Sequence, residues 1–228
     1  MVTTKARAVQ ETPGLPPVAR QGTVHVVDDD AELREYIRWL IARAGWQVHA
    51  YAEARQFLDT FSDNGPGCVV TDLYMPEMNG LELQAELRRR GIELPLIMMS
   101  GQGKIDSAVQ AMRDGAVDFL EKPFEPQRLL ERVAGAVAVS SEARRGAQER
   151  ASVAARLKRL TPRQRAVLEG LTAGKPSKII ASELGLSPRT VDVHRFRLMH
   201  ILGAESLPDL FRLVVLVGDA PAPSRRES

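Results

Sequence analysis

From residue 23 to about residue 135 the sequence alternates short apolar runs with helical patterns, five times in succession. Apolar runs at 24–27, 47–51, 68–70, 94–99 and 117–120 are followed by helical stretches at 32–44, 54–61, 81–89 and 107–113 and by one opening near Pro126. Successive strands separated by helices pair in parallel, because each crossover returns the chain to the same edge, and the helices then cover both faces of the sheet. Within the first helical stretch Leu33, Tyr36, Ile37, Leu40 and Ile41 recur at steps of 3, 1, 3 and 1, the stripe of a helix lying on such a sheet. From Leu160 onward the pattern is purely helical, at 162–171, 177–184, 188–202 and 208–217, punctuated by Gly174, Gly185 and Gly203. Pro162, Pro188 and Pro208 stand at or near helix starts, with Thr161 and Ser187 before the first two as N-caps. The expected layout is a flexible tail at 1–22, an α/β doubly wound (βα)5 domain at 23–138, a helical solvated linker at 139–157, a separate all-α four-helix domain at 158–217, and a disordered tail at 218–228.

With 44% hydrophobic and 26% charged residues in 228, the chain is neither disordered nor fibrous. Its longest apolar runs, 94–99 and 213–217, fall well short of the roughly 20 residues a membrane span requires, so no membrane partner is expected. The N-terminal stretch mixes Lys5 and Arg7 with Thr, Pro and Gly and lacks an apolar core, so a cytoplasmic location is expected. The single cysteine, Cys68, has no internal partner and reads from its Val-rich flank as a buried small hydrophobe. Charge divides the chain in two. Residues 23–124 hold 17 Asp and Glu against 10 Lys and Arg, whereas 159–217 hold 9 basic against 5 acidic. The acidic half suits a cation site; the basic half suits a polyanion such as nucleic acid.

In a parallel α/β sheet, ligands bind at the carboxyl ends of the strands. The first strand ends in Asp28, Asp29 and Asp30, the third in Thr71 and Asp72, the fourth in Ser100 and Gly101, and the fifth leads to Lys122 and Pro123. Two or three carboxylates gathered together repel one another unless a hard cation sits among them. Mg²⁺, which takes one or two carboxylates plus waters and phosphate oxygens, is the expected cofactor. Asp30 is the better placed of the three aspartates to cap the following helix and is assigned to structure. Lys122-Pro123 is a candidate cis peptide.

These residues stand in Val27-Asp28-Asp29, Val70-Thr71-Asp72-Leu73-Tyr74-Met75-Pro76, Met99-Ser100-Gly101 and Glu121-Lys122-Pro123-Phe124, with Asp72 to Ser100 separated by 28 residues and Ser100 to Lys122 by 22. The set resembles the receiver domain of two-component response regulators over about residues 23–135. The resemblance implies a flavodoxin-like strand order 2-1-3-4-5. It also implies that Asp72 is the phosphoacceptor, taking a phosphoryl group from a phosphohistidine on a sensor histidine kinase. By the same resemblance Asp29, Asp72 and the main-chain carbonyl of Tyr74 hold Mg²⁺, with Asp28 a direct or water-mediated ligand. Ser100 and Lys122 bind the phosphoryl group, and Gly101 leaves room for the donor. Phe119 matches the family's aromatic switch position, although a plain core aromatic is an equal reading, and Tyr74 and Gln102 stand where phosphoryl lifetime is tuned. Phosphorylation is then expected to create a homodimer through the surface around residues 105–120.

The back half carries Leu160-Thr161-Pro162-Arg163-Gln164-Arg165, Lys178-Ile179-Ile180-Ala181-Ser182-Glu183-Leu184-Gly185-Leu186-Ser187 and Arg189-Thr190-Val191-Asp192-Val193-His194. Two helices joined through Gly185-Leu186-Ser187 have helix-turn-helix spacing. The segment resembles the LuxR-type (NarL- or GerE-type) four-helix DNA-binding domain over about residues 158–216. Combined with the receiver motifs, it is most similar to the FixJ group of response regulators. Val191, Leu198 and Leu202 form the core-facing stripe of the second helix, which His194 shares as a core histidine rather than a metal ligand. Asp192, Val193, Arg195, Phe196 and Arg197 are expected to face double-stranded DNA. Asp192 and Val193 are candidate base readers, and Lys178, Arg189 and Thr190 are candidate phosphate contacts. Phe196 either meets a thymine methyl or packs on the last helix.

The expected function is transcription regulation controlled by phosphorylation, with RNA polymerase as a downstream partner. An enzyme of the haloacid dehalogenase-like phosphatase type also uses a nucleophilic Asp with Mg²⁺, but needs a second Asp two residues on, where Tyr74 stands. A regulator that has lost phosphorylation is disfavoured by the intact Asp29, Asp72, Ser100 and Lys122 set.

Overall fold

The structure is a computed structural model in which residues 20–101 and 118–218 are described. The expected helix at 107–113, Gln102, residues 105–117 of the expected dimer surface, and the tails at 1–19 and 219–228 lie outside the described residues. Along the chain the molecule divides between Arg144 and Arg145 into two compact units.

In the first unit the described elements are β1 (Thr23–Val27), α1 (Ala31–Arg43), β2 (Gln47–Tyr51), α2 (Ala54–Thr60), β3 (Gly67–Asp72), α3 (Gly80–Arg89), β4 (Leu96–Gly101), β5 (Asp118–Lys122) and the start of α4 (Pro126–Lys158). The strands form one parallel sheet in the order β2-β1-β3-β4-β5, which is the order the resemblance implies. All six residues of the central β3 are buried, as a parallel strand covered on both faces requires. Period-two alternation sends Val24 and Val26 to one face, where Ile37, Leu40 and Ile41 of α1 and Leu129, Val133 and Val137 of α4 cover them. Val27 and Val69 face the other side, against Phe57 of α2 and Leu83 and Leu87 of α3. Each fully buried side chain of this size contributes about 1.5–3 kcal/mol. Cys68 is buried in the first of these clusters, where desolvation pushes its thiol up to about 12, so it behaves as a hydrophobe.

Local chemistry sets the helix starts. Asp30 caps α1, its carboxylate accepting from the amides of Glu32 and Leu33 at 2.9 and 3.1 Å. Asn79 and Glu82 form a reciprocal capping box on α3. Gly80 is required by a close approach, because a Cβ there would fall 2.6 Å from the carbonyl oxygen of Asp72. The Lys122-Pro123 peptide is cis.

The second unit holds the end of α4, then α5 (Pro162–Thr172), α6 (Ser177–Leu184), α7 (Pro188–Leu202) and α8 (Leu207–Leu216). Thr161 forms a capping box with Gln164, Ser187 caps α7, and Ser206 caps α8. The last cap lies one residue before Leu207, upstream of the proline signal. α4 is one continuous 33-residue helix, and residues 139–157 within it are not uniformly solvated. Ser140 is 2% exposed, while Val153 and Leu157 are buried in the core shared by α5 to α8. Two apolar residues spaced i, i+4 suffice to seat one helix face, yet among charged neighbours they make no periodic signal. Among the described residues no helix is long and apolar enough to cross a membrane.

Candidate functional site

Sheet register brings the first unit's chemistry together. Val27 pairs with Thr71, so Asp28 and Asp72 follow as neighbours at the ends of adjacent strands, and Gly101 of β4 pairs with Lys122 of β5. The Lys122 ammonium donates to Asp28 Oδ2 at 3.0 Å and pairs with Asp72 Oδ1 at 2.8 Å. Asp28 is fully buried and Asp72 is 8% exposed. Burial raises the Asp28 carboxyl above its usual range, against the opposing hydrogen bond from Lys122. Burial alone would lower the Lys122 ammonium, but its hydrogen bonds to Asp72 and Asp28 outweigh this and raise it.

The neighbouring loops hold this arrangement. Asp28 Oδ1 accepts from the Asp30 amide at 2.9 Å, and the Arg34 guanidinium donates to the carbonyls of Asp28 and Asp29 at 2.6 and 3.3 Å. Sequence reasoning missed Arg34; its position one turn into α1, behind three aspartates, was the available signal. Asp29 is exposed and Tyr74 is 51% exposed. Ser100 is buried, its hydroxyl donating to the Gly101 carbonyl at 3.2 Å. Phe119 is half-buried against the cluster containing Val27, Val69 and Met98.

Among the described residues no group of three or more His, Cys, Asp or Glu side chains forms a metal-binding cluster. The donor set nonetheless fits Mg²⁺. Two carboxylates share one ammonium and leave an excess negative charge, Asp29 lies adjacent, and Mg²⁺ needs few protein ligands because it retains waters.

In the second unit α6 and α7 form the helix-turn-helix. Val191, Leu198 and Leu202 are buried, as the stripe predicts. Lys178, Arg189, Asp192, Val193, Phe196 and Arg197 are exposed, while Thr190, His194 and Arg195 are half-buried. Phe196 is 75% exposed, which removes packing on the last helix as its role. Asp192 accepts from the Ser177 hydroxyl at 3.2 Å, tying α7 to the start of α6, and the Thr190 hydroxyl shares a 2.8 Å hydrogen bond with Ser187.

Three arginines, Arg163 and Arg165 of the basic half and Arg156 of the expected linker, cap helix ends. Arg156 donates to the Leu202 carbonyl at the end of α7, Arg163 to the Leu184 carbonyl at the end of α6, and Arg165 to the Leu157 carbonyl at 3.1 Å. Cations there complement the helix dipole. Gly203, at φ 70°, leaves space for the Arg156 guanidinium, which a Cβ would meet at 2.6 Å. These roles were not visible in sequence, because each arginine and its carbonyl come from different elements.

An acid-and-lysine pocket at the carboxyl edge of a doubly wound sheet, on a chain that also carries a helix-turn-helix, defines the class of response regulators. Residues 24–134 match the response regulator receiver domain family, and residues 158–214 match the luxR family of bacterial regulatory proteins. The transcriptional regulatory protein FixJ of Azorhizobium caulinodans is 43% identical over 199 residues, covering 87% of this chain and 94% of that protein. TdiR of Thauera aromatica is 38% identical, covering 85% of each. Among solved structures, the response regulator StyR is similar with a TM-score of 0.77 at 37% identity, covering 86% of this chain and 99% of that one. Full-length FixJ from B. japonicum gives a TM-score of 0.55 at 40% identity, covering 87% and 98%. The chain belongs to the FixJ-like response regulators, transcriptional regulators of two-component systems, and is a regulator rather than an enzyme. Receiver domains generally bind Mg²⁺ for phosphorylation, and the family works with a kinase and with DNA.

Proposed function

We propose that Asp72 accepts a phosphoryl group from a sensor histidine kinase and that the resulting acyl phosphate drives dimerisation and promoter binding. The observation that carries this reading is the Lys122 ammonium bridging Asp28 and Asp72. A carboxylate oxygen of Asp72 attacks phosphorus, the phosphorus–nitrogen bond of the phosphohistidine breaks, and the electron pair returns to the imidazole. Lys122, already paired with Asp72, neutralises negative charge on the phosphoryl oxygens. Asp28, Asp29, Asp72 and the Tyr74 carbonyl would hold Mg²⁺, which when bound supplies further positive charge to the transferring group. Ser100, re-aimed from the Gly101 carbonyl, donates to a phosphoryl oxygen, and Phe119 answers that movement. The signal leaves through a receiver surface reaching Leu120, which pairs two copies.

On the output side, Lys178, Arg189 and Thr190 grip phosphates while Asp192, Val193, Arg195, Phe196 and Arg197 face the major groove. Support comes from the exposure of Lys178, Arg189, Val193, Phe196 and Arg197. A dimer then engages two half-sites and RNA polymerase in the cytoplasm. The test is phosphorylation by acetyl phosphate with Mg²⁺, followed by intact mass. Wild type gains one phosphoryl group and Asp72→Asn gains none. Labelling of Asp72→Asn at the wild-type rate overturns the assignment.

A further inference from the structure

β1 carries His25 between Val24 and Val26, on the face covered by α2, where an apolar residue is the rule. It is 6% exposed. Its ring stacks on His49 of β2 at 5.8 Å and on Tyr51 at 6.0 Å, with Phe61 edge-on at 5.5 Å. These four rings contribute to the lining of a cavity of about 380 Å³ that runs along β1 and β2 from Thr23 and Gln47 to Tyr51, with Gly67 of β3 also in its wall; neither Asp28 nor Asp72 lines it. Gln47, Thr60, Ser62 and Asn64 add amides and hydroxyls, and none of the lining residues is Asp, Glu, Lys or Arg.

The cavity wall is also tied to α4. The Gly67 amide donates to the buried Ser140 hydroxyl at 3.1 Å, and Asp63, between lining residues Ser62 and Asn64, pairs with Arg144.

We propose that this cavity binds a small uncharged heteroaromatic molecule bearing hydrogen-bonding groups on its edge, and that its occupancy is felt by α4 through Ser140 and Arg144. Size sets the first limit: about 380 Å³ lies at the lower end of ligand pockets and suits one or two fused rings. Charge sets the second, because no Asp, Glu, Lys or Arg side chain lines the cavity and an ionic ligand would lose hydration without a strong counter-charge. The stacked rings favour a planar guest, while the amides and hydroxyls meet its polar edge. His25 remains a neutral imidazole, since desolvation first and then His49 lower its pKa to about 4. Its Nδ1 lies 3.3 Å from the Tyr51 hydroxyl, so the ring is oriented by a partner within the wall.

The test is amide proton–nitrogen correlation spectra of the full unphosphorylated chain, titrated with adenine and with indole, and with benzoate as the charged comparator. The expected result is saturable shifts at 23–25, 47–51 and 60–67 with at least one uncharged probe, accompanied by Ser140 and Arg144 at the same midpoint. Asn64→Trp, which adds a ring at an exposed position on the rim, should abolish these shifts while the rest of the spectrum is unchanged. His25→Phe should weaken binding by about tenfold, the loss of one good contact. No saturable shift with either uncharged probe, equal binding by benzoate, or unchanged binding in Asn64→Trp overturns the site. Saturation at the cavity with Ser140 and Arg144 unmoved overturns the link to α4.

Discussion

The Lys122 ammonium stands 2.8 Å from an Asp72 carboxylate oxygen, a pairing made across β5 and β3, which are separated in the sheet by β4. The same ammonium neutralises buried Asp28, so one cation serves two carboxylates. Lys122→Ala should still be phosphorylated on Asp72, because the nucleophile is untouched. Its phosphorylated form should dimerise less than wild type by light scattering, since the group that reads the phosphoryl charge is gone. Urea unfolding should show a loss of about 2 kcal/mol, below the full cost of orphaning a buried charge because Lys122 is partly solvated. Wild-type dimerisation by the variant would remove Lys122 from the switch.

His25 makes stability depend on mild acid. Its folded pKa is about 4, below the ordinary 6.5, so between these values the unfolded chain binds a proton that the folded chain refuses. Its contribution is therefore intact above pH 6.5 and falls as the pH drops toward 4, by an amount on the order of 3 kcal/mol. Thermal melts from pH 7.5 to 4.5 should show this decline, and His25→Phe should flatten it. An identical slope in both proteins would assign the acid sensitivity elsewhere.

Arg156 should act on DNA binding without touching DNA. It caps the carbonyl of Leu202, the last residue of α7, from a helix that begins in the other unit. Arg156→Ala should lower the melting free energy of the helical unit by about 1 kcal/mol and weaken all DNA sequences alike. Arg156→Lys should restore part of both. A fragment of residues 145–218 should melt cooperatively, whereas 159–218, lacking buried Val153 and Leu157, should be less stable by about 2–4 kcal/mol. Equal stability of the two fragments would count against the end of α4 as part of this core.

Asp192 has two possible duties that selection from random DNA separates. It hydrogen-bonds Ser177 and is exposed on α7. Asp192→Ala should change the preferred bases at one position by about 1–3 kcal/mol, whereas Ser177→Ala should leave the motif intact. Lys178→Ala and Arg189→Ala should weaken every site nearly equally and reduce the salt slope by about 0.9 per lost phosphate contact. Identical enriched motifs from wild type and Asp192→Ala would restrict Asp192 to the Ser177 bridge.

Where chemistry is local, the sequence was sufficient. Asp30 and Thr161 reach only two or three residues along the chain to cap their helices, and the αL glycine that ends α6 follows from Gly185 alone. The strand-end aspartates and Lys122 were legible for a related reason: strand periodicity tells where a strand ends, and parallel strands deliver those ends to one edge. The buried face of α7 was likewise readable from Val191, Leu198 and Leu202.

Tertiary structure alone decided which groups satisfy one another across the chain. Ser140 bonds Gly67 over 73 residues, Arg156 reaches Leu202 over 46, and Lys122 reaches Asp28 over 94. A composition that read 139–157 as solvated could not disclose that Val153 and Leu157 are buried, because a two-residue stripe becomes apolar surface only when another core meets it. Nor could it disclose the cavity beside His25, which exists only once β1 and β2 pair in register and the loop after α2 closes over them. Propensity and capping are settled within one helical turn, whereas register and closure are settled by burying surface that the sequence leaves far apart.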